Sequence, residues 1–226
     1  MALLGHAALA MWWEVAHSVR DELTDWHAHE HWPERLAIPG FLRASRWTEV
    51  GGDCFFVLYE LADPAVLASA PYVARLKAPT PWSTRMMPLH RHMVRSQCRV
   101  LVSRGAMTGA HAVTLRCSAA TAQAEVLTGQ LSALAERAAR QPGTVGLHVL
   151  RHEAPALAAT TEQKIRGLAD GAADWVIMVS GYDPAALQRW AETELADPAL
   201  AALGFGPAPL RQAFTLAYTA SAADLR

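Results

Sequence analysis

The residues best suited to chemistry are concentrated in one short run, Trp26–Arg35, with the sequence WHAHEHWPER. If this run is helical, His27 and His31 lie four residues apart on one face, with Glu30 beside them. Two imidazoles and a carboxylate can ligate a metal ion, but the HExxH order of a zinc helix is absent. We therefore expect no metal and no other cofactor. A metal site at His27 and His31 stays open as a minor alternative.

His31 and Glu30 are the candidate catalytic residues. Histidine titrates near neutral pH, and a buried carboxylate next to His31 would raise its pKa. General acid–base catalysis requires such a group within reach of a substrate proton. The alternative is a structural run in which Glu30 and Arg35 form an ion pair near the end of the helix.

Further side chains in the first half could line a pocket around this pair. Six of the eight Trp and seven of the ten His precede residue 105. Trp82 follows the rigid segment Pro79-Thr80-Pro81, which could place its ring as an apolar wall. The candidate substrate-binding residues are Trp26, His27, Arg35, Arg46, Tyr72 and Trp82, with the two arginines as anion-binding or supporting groups.

Hydrophobic periodicity and turn signals predict the element order β-α-β-β-α-β twice along the chain. We assign the first copy, with the candidate pocket, to residues 1–104 and the second copy to residues 110–226. A helix over Ser18–Trp32 carries the candidate site, and Pro33 is expected to end or kink it. The second copy has a longer insertion, residues 153–174, where the first copy has a tight hairpin.

The apolar pattern of individual strands shows how the two copies pack. In the predicted strand Cys54–Leu61, alternate residues on both faces are apolar, and the strand that begins at Trp175 repeats this pattern. A ferredoxin-like sheet has helices on one face only, so its other face needs a partner. The predicted fold class is therefore α+β, with two tandem ferredoxin-like units whose antiparallel sheets pack as an intramolecular α+β barrel.

Composition excludes several functions. The 226 residues are 52% hydrophobic and 18% charged with a formal net charge of -1, so we expect neither a nucleic-acid partner nor a membrane partner. Three cysteines without CxxC spacing predict buried free thiols and a cytoplasmic protein. The apolar N-terminus lacks a basic segment, so we interpret it as a first strand and not a signal peptide.

The first half resembles the dimeric α+β barrel superfamily, and within it the EthD-like proteins and related uncharacterised bacterial proteins. The resemblance covers most of residues 5–104, and the second half matches in pattern only. It rests on Trp26, Glu30-His31, Glu34-Arg35, Ile38-Pro39-Gly40-Phe41, Arg43, Arg46, Tyr59-Glu60, Ser69, Tyr72, Pro79-Thr80 and Trp82. The family usually has Tyr after the Trp, and His27 stands there instead.

The resemblance implies a ferredoxin-like fold, a pocket between sheet and helices, and a homodimer as a frequent assembly. Relatives include cofactor-independent monooxygenases, dehydratases, lactone isomerases and proteins with no assigned activity, so fold does not fix function. We expect a pocket that binds a small hydrophobic or aromatic molecule, with or without a reaction. A non-catalytic ligand-binding or structural protein is the alternative.

Overall fold

Strands and helices alternate along the chain in the order expected from its hydrophobic pattern. The computed structural model describes residues 3–106, 108–118, 124–153, 160–167 and 170–225. The strands are Ala7–Glu14 (β1), Phe41–Glu49 (β2), Cys54–Leu61 (β3), Arg91–Gly105 (β4), His111–Cys117 (β5), Thr144–His152 (β6), Trp175–Gly181 (β7) and Leu210–Ser221 (β8). The helices are Arg20–Trp26 (α1), Trp32–Leu36 (α2), Ala70–Lys77 (α3), Pro81–Met86 (α4), Ala124–Ala138 (α5), Thr161–Arg166 (α6), Pro184–Glu194 (α7) and Asp197–Ala202 (α8).

The strands form a closed antiparallel barrel in the order β1-β3-β2-β8-β5-β7-β6-β4. Within it, β4-β1-β3-β2 and β8-β5-β7-β6 are two copies of the same ferredoxin-like order. The copies join where β2 pairs with β8 and where β4 pairs with β6. Closure leaves no free sheet edge. The predicted fold class, two tandem ferredoxin-like units forming an intramolecular α+β barrel, is confirmed.

Both faces of the central strands are buried, as their apolar pattern predicts. Cys54, Phe56 and Leu58 point into the barrel interior, where Phe56 stacks on Trp12 at a centroid distance of 4.8 Å. The alternate residues of β3, with Tyr59 among them, pack against the helices outside the barrel. The outer face of the second half has its own core beneath α5 and α7. The described residues therefore form three hydrophobic cores.

The helical run that carries the candidate site is longer than expected. It continues past Pro33 to Leu36, although Pro33 cannot donate a backbone hydrogen bond. A wide π-helical turn over His27–His31 precedes the proline, and the Trp32 N–H donates to the His27 carbonyl five residues back. This turn accommodates the proline ring without ending the helix.

The insertion of the second half returns to the first half. Within the expected range 153–174, residues 154–159 and 168–169 lie outside the described residues, and α6 lies between these two gaps. Beyond α6, the Gly171 N–H donates to the Met93 carbonyl, and the Arg95 N–H donates to the Gly171 carbonyl, both at 2.8 Å. The insertion thus pairs with the backbone of β4 through a short parallel bridge between Gly171 and Val94.

Gly40 provides a test of the turn that leads into β2. It has φ +95°, and an added Cβ would lie 2.4 Å from Cγ2 of Val66. We expect Gly40→Ala to lower the free energy of unfolding by about 2–4 kcal/mol, because left-handed backbone strain adds to the overlap. Gly51→Ala is the matched control, since Gly51 has φ +73° and nothing within 4 Å; it should cost about 1 kcal/mol.

Urea denaturation measures both values. If Val66 causes the difference, Val66→Ala in the Gly40→Ala background recovers part of the loss. Equal losses for the two alanine variants would refute the packing argument.

The state of the three cysteines agrees with the prediction from their spacing. Cys54, Cys98 and Cys117 are free and buried, as predicted. Burial raises the pKa of the Cys54 thiol to about 11, so this thiol is protonated at neutral pH. No helix among the described residues is long and apolar enough to cross a membrane.

Candidate functional site

A cavity of about 310 Å³ lies on the outer face of the first half of the barrel. Its floor is made by alternate residues of β1 and β4, which face outward with a period of two. The helical run and α3 cover two sides, and the insertion of the second half covers a third. The floor residues are Leu9, Met11, Trp13, Met93, Arg95 and Gln97. Both halves of the chain therefore build one cavity.

The wide helical turn places two imidazoles in the cavity wall. The Trp26 ring lies 4.3 Å from the His31 ring and 4.9 Å from the His27 ring, measured between centroids. The two histidine rings are 5.6 Å apart, which agrees with the shared helix face expected from their spacing. Nδ1 of His31 has no hydrogen-bond partner among the described residues. His31 is thus held by ring stacking and borders open space.

A third histidine of the cavity wall is His90. Its ring lies 5.2 Å from the Trp13 ring and 6.0 Å from the Trp26 ring. Nδ1 lies 3.1 Å from the Met86 carbonyl and 3.2 Å from the Met87 carbonyl, so Nδ1 carries the proton and donates it. Nε2 of His90 therefore keeps its lone pair.

All three rings are neutral at pH 7. Burial lowers the pKa of His27 and of His31 well below the usual value, and nearby arginines act in the same direction. Burial also lowers the pKa of His90 to about 4. The expectation that a carboxylate raises the pKa of His31 is wrong, because desolvation is the largest effect on this ring.

Glu30, the second candidate catalytic residue, is held by a cluster of hydrogen bonds. Its Oε1 accepts hydrogen bonds from Thr80 Oγ1 at 2.5 Å, Trp26 Nε1 at 3.1 Å and Ser83 Oγ at 3.4 Å. Glu30 does not line the cavity. It fixes the indole of Trp26, and Trp26 in turn supports His31. The alternative ion pair of Glu30 with Arg35 is also wrong, because Arg35 pairs elsewhere.

Arg35 connects the two halves of the protein across the cavity. Its Nη2 donates to Glu162 Oε1 of α6 at 2.5 Å, and the two side chains are only 5% and 6% exposed. Burial alone would lower the pKa of Arg35, but the Glu162 carboxylate outweighs it and raises this pKa. The guanidinium also lies 5.9 Å from the Tyr72 ring centroid. A buried ion pair thus holds the insertion over the cavity.

Two other arginines contribute to the polar part of the wall. Arg166 forms a bidentate pair with Asp170, with Nη2 at 2.7 Å from Oδ2 and Nε at 3.4 Å from Oδ1. Arg95 Nη2 donates to the Tyr72 hydroxyl at 2.9 Å. The cavity therefore has an aromatic side near the helical run and a charged side near the insertion.

The candidate site residues divide into two groups. Trp26, His27, His31, Arg35 and Tyr72 line the cavity, whereas Glu30, Arg46 and Trp82 do not. Arg46 lies behind the wall and donates from Nη1 to Nδ1 of His27 at 3.4 Å. Trp82 donates from its indole to the exposed Glu22 at 3.1 Å.

Sequence reasoning missed His90 and the residues of the insertion. His90 stands between Leu89 and Arg91, outside the run that carries the other candidate residues. Glu162, Arg166 and Asp170 lie in the half that offered no candidate chemistry. Only the length of the insertion signalled a special role, because long insertions in compact domains are often functional.

The metal alternative receives no geometric support. Within the part of the chain that the structure describes, no three or more His, Cys, Asp or Glu side chains are arranged to hold a metal ion. His27 accepts a hydrogen bond from Arg46 on Nδ1, which occupies that lone pair.

Neither a protein-family model nor a curated protein matches this sequence. Solved structures do match in fold. An anthrone oxidase-like protein aligns with a TM-score of 0.69 and 11% identity over 96% of this chain and 93% of its own. A protein of Lactobacillus acidophilus, provisionally described as a monooxygenase, aligns with a TM-score of 0.61 and 10% identity over 96% and 97%.

A third match is a ferredoxin-fold protein of Listeria monocytogenes related to antibiotic biosynthesis monooxygenases. Its TM-score is 0.52 with 8% identity, over 96% of this chain and 97% of its own. At such identities the matches show the fold alone. This chain has the ferredoxin-like α+β barrel fold of these monooxygenase-like proteins.

Proposed function

We propose that this protein is a cofactor-independent enzyme that takes a proton from a small hydrophobic or aromatic compound, with His31 as the base. The supporting observation is a neutral imidazole that borders the cavity and lies 4.3 Å from the Trp26 ring, between centroids. The reaction would be of the monooxygenase, dehydratase or isomerase type. The fold neighbours named as oxidase-like or monooxygenase-like support this choice of class.

The step shared by these reaction types is proton abstraction. A C–H or O–H bond of the substrate breaks, the proton goes to the imidazole, and the electron pair moves onto a substrate oxygen. Because burial lowers the pKa of His31, the ring is a weak base that suits a substrate proton of enhanced acidity. Guanidinium groups in the wall would stabilise the resulting oxyanion.

In this proposal the other candidates support His31. Glu30 is a positioning residue that acts through Trp26, and Arg46 fixes the neutral form of His27 by donating to Nδ1. His90 is a second candidate base, because its Nδ1 donates to backbone carbonyls and its Nε2 keeps a lone pair. We further propose that the protein is related to the EthD-like proteins and that it forms a homodimer. Analytical ultracentrifugation would test the dimer.

Deuterium exchange tests the base directly. The protein is incubated in D2O with 2-tetralone, a small bicyclic ketone with acidic α-protons, and exchange is followed by NMR. We expect exchange above the buffer rate, and a loss of about 10²–10⁴-fold in His31→Gln, which is typical for removal of a general base. His29→Gln is the control, because His29 is exposed on the same helical run.

Quenching of Trp13 and Trp26 fluorescence reports binding in the same samples. Binding of 2-tetralone with exchange at the buffer rate in the wild type would refute catalysis by His31. Equal exchange in the wild type and in His31→Gln would refute it as well.

The second candidate function is a non-catalytic binding protein. One observation favours it: burial lowers the pKa of His27, His31 and His90, which weakens each of these rings as a base. Binding that survives in His31→Gln, without exchange in either protein, would support this alternative.

A further inference from the structure

The wall of the cavity carries more positive than negative charge. Among the described lining residues, the wall has three guanidinium groups, from Arg35, Arg95 and Arg166, and two carboxylates, from Glu162 and Asp170. Arg35 is paired with Glu162, and Arg166 with Asp170. The surplus cation is Arg95, whose side-chain contact is with a neutral hydroxyl.

The pair formed by Arg95 and Tyr72 can bind a further oxygen. The Tyr72 hydroxyl accepts from Arg95 Nη2 at 2.9 Å, so its own proton remains available to donate. Tyr72 is 3% exposed, and both residues line the cavity. Ser69, at the N-cap of α3, accepts from the Tyr72 N–H and so fixes the start of the helix that carries this ring. The guanidinium of Arg95 and the hydroxyl of Tyr72 are therefore a charged donor and a neutral donor side by side in the cavity wall.

The rest of the wall does not supply a counter-charge. Among the described lining residues, the carboxylates are those of Glu162 and Asp170, both already paired, and the floor near Arg95 is formed by Met93, Met11 and Leu9. Arg95 is only partly exposed in this cavity, so attraction between its guanidinium and an anion is stronger than at a fully exposed surface. An anionic group on the ligand would offset the unbalanced charge.

We propose that the ligand of this cavity is a small aromatic acid whose carboxylate is bound by Arg95 and the Tyr72 hydroxyl, with its ring directed toward Trp26 and His31. The inference rests on the proposed function, because it assigns a substrate class to the same cavity. The volume of about 310 Å³ is at the small end of ligand sites and fits a compact ring system.

Calorimetry with a matched pair of probes tests the inference. The probes are 2-naphthoate and 2-naphthamide, which share size and ring system but differ in charge. We expect the wild type to bind the acid about 10- to 100-fold more tightly, the range typical of a charge-assisted hydrogen bond. Arg95→Gln should lose most of this preference by weakening the acid alone, and Tyr72→Phe should lose part of it.

Arg91→Gln is the control variant, since Arg91 lies on the same strand, is exposed and does not line the cavity. It should keep the full preference of the wild type. If Arg95→Gln folds poorly, Arg95→Lys keeps a charge without the planar fork, and it should show an intermediate preference.

The outcomes separate the two proposals. Equal binding of both probes by the wild type would overturn the aromatic-acid assignment and leave a pocket for neutral aromatic compounds. The same loss for both probes in Arg95→Gln would also overturn it. Failure of the wild type to bind either probe would refute the aromatic-acid assignment, whereas the proposed function stands or falls with the separate 2-tetralone experiment.

Discussion

Lowering the pH from 7 to 4 is expected to destabilise this protein by several kcal/mol, because four histidines are buried as neutral rings. Burial lowers the pKa of His27 and His31 well below the usual value, and that of His90 and His148 to about 4. The unfolded chain binds protons on these rings below about pH 6.5, whereas the folded chain binds them only at lower pH. Stability is therefore full above pH 6.5 and is lost as the pH falls toward 4.

His148 gives the cleanest single-residue test. It lies inside the barrel, 1% exposed, with Nδ1 2.9 Å from Ser103 Oγ. A shift of its pKa from 6.5 to about 4 corresponds to about 3 kcal/mol of stability lost on acidification. We expect His148→Gln to remove this amount from the pH dependence, as measured by urea unfolding at several pH values.

The exposed His29 provides the comparison, and His29→Gln should keep the pH profile of the wild type. The interpretation fails if His148→Gln loses as much stability between pH 6.5 and 4 as the wild type does. Acid titration of the carboxylates contributes to both proteins equally and cancels in the difference.

Removal of the Glu162 carboxylate is the second large expected effect. Glu162→Ala leaves the buried Arg35 without its counter-charge, and we expect a loss of about 3–5 kcal/mol in the free energy of unfolding. The control is Glu153→Ala, which breaks an exposed ion pair with Arg99 and should cost less than about 1 kcal/mol. Chemical denaturation measures both.

The double variant Arg35→Met with Glu162→Met separates the charge from the packing. Apolar side chains of similar length should restore most of the stability, because the unpaired charge is gone. If the double variant is less stable than Glu162→Ala, the unpaired charge of Arg35 is not the cause of the loss in Glu162→Ala. If Glu162→Ala costs no more than Glu153→Ala, the buried pair does not hold the insertion in place.

The strand pattern was sufficient to predict the barrel. Alternating apolar residues on both faces of β3 and β7 required a second sheet, and the two copies of the element order supplied one. Local signals also placed the cavity wall, since the spacing of His27 and His31 predicts one helix face. These inferences succeed because they depend on contacts whose cause is visible within a few residues.

The sequence could not show the contacts made across the barrel. Glu162 pairs with Arg35 only because the insertion packs over the first half. No pattern of neighbouring residues predicts this long-range contact. The ionisation of His31 was also out of reach, because it depends on how completely the surrounding rings exclude water. Glu30 lies next to His31 in sequence, yet its carboxylate accepts hydrogen bonds from Trp26, Thr80 and Ser83.

The two halves of the barrel share a strand order but differ outside it. Beneath α5 and α7, the second half is filled by Leu131, Leu187 and Trp190, whereas the first half has the cavity at the corresponding face. A barrel made from two identical ferredoxin-like chains would have the same outer face, and the same cavity, on both halves. In a single chain the symmetry is broken, so we expect a binding stoichiometry of one ligand per chain and a hyperbolic isotherm without cooperativity within the chain.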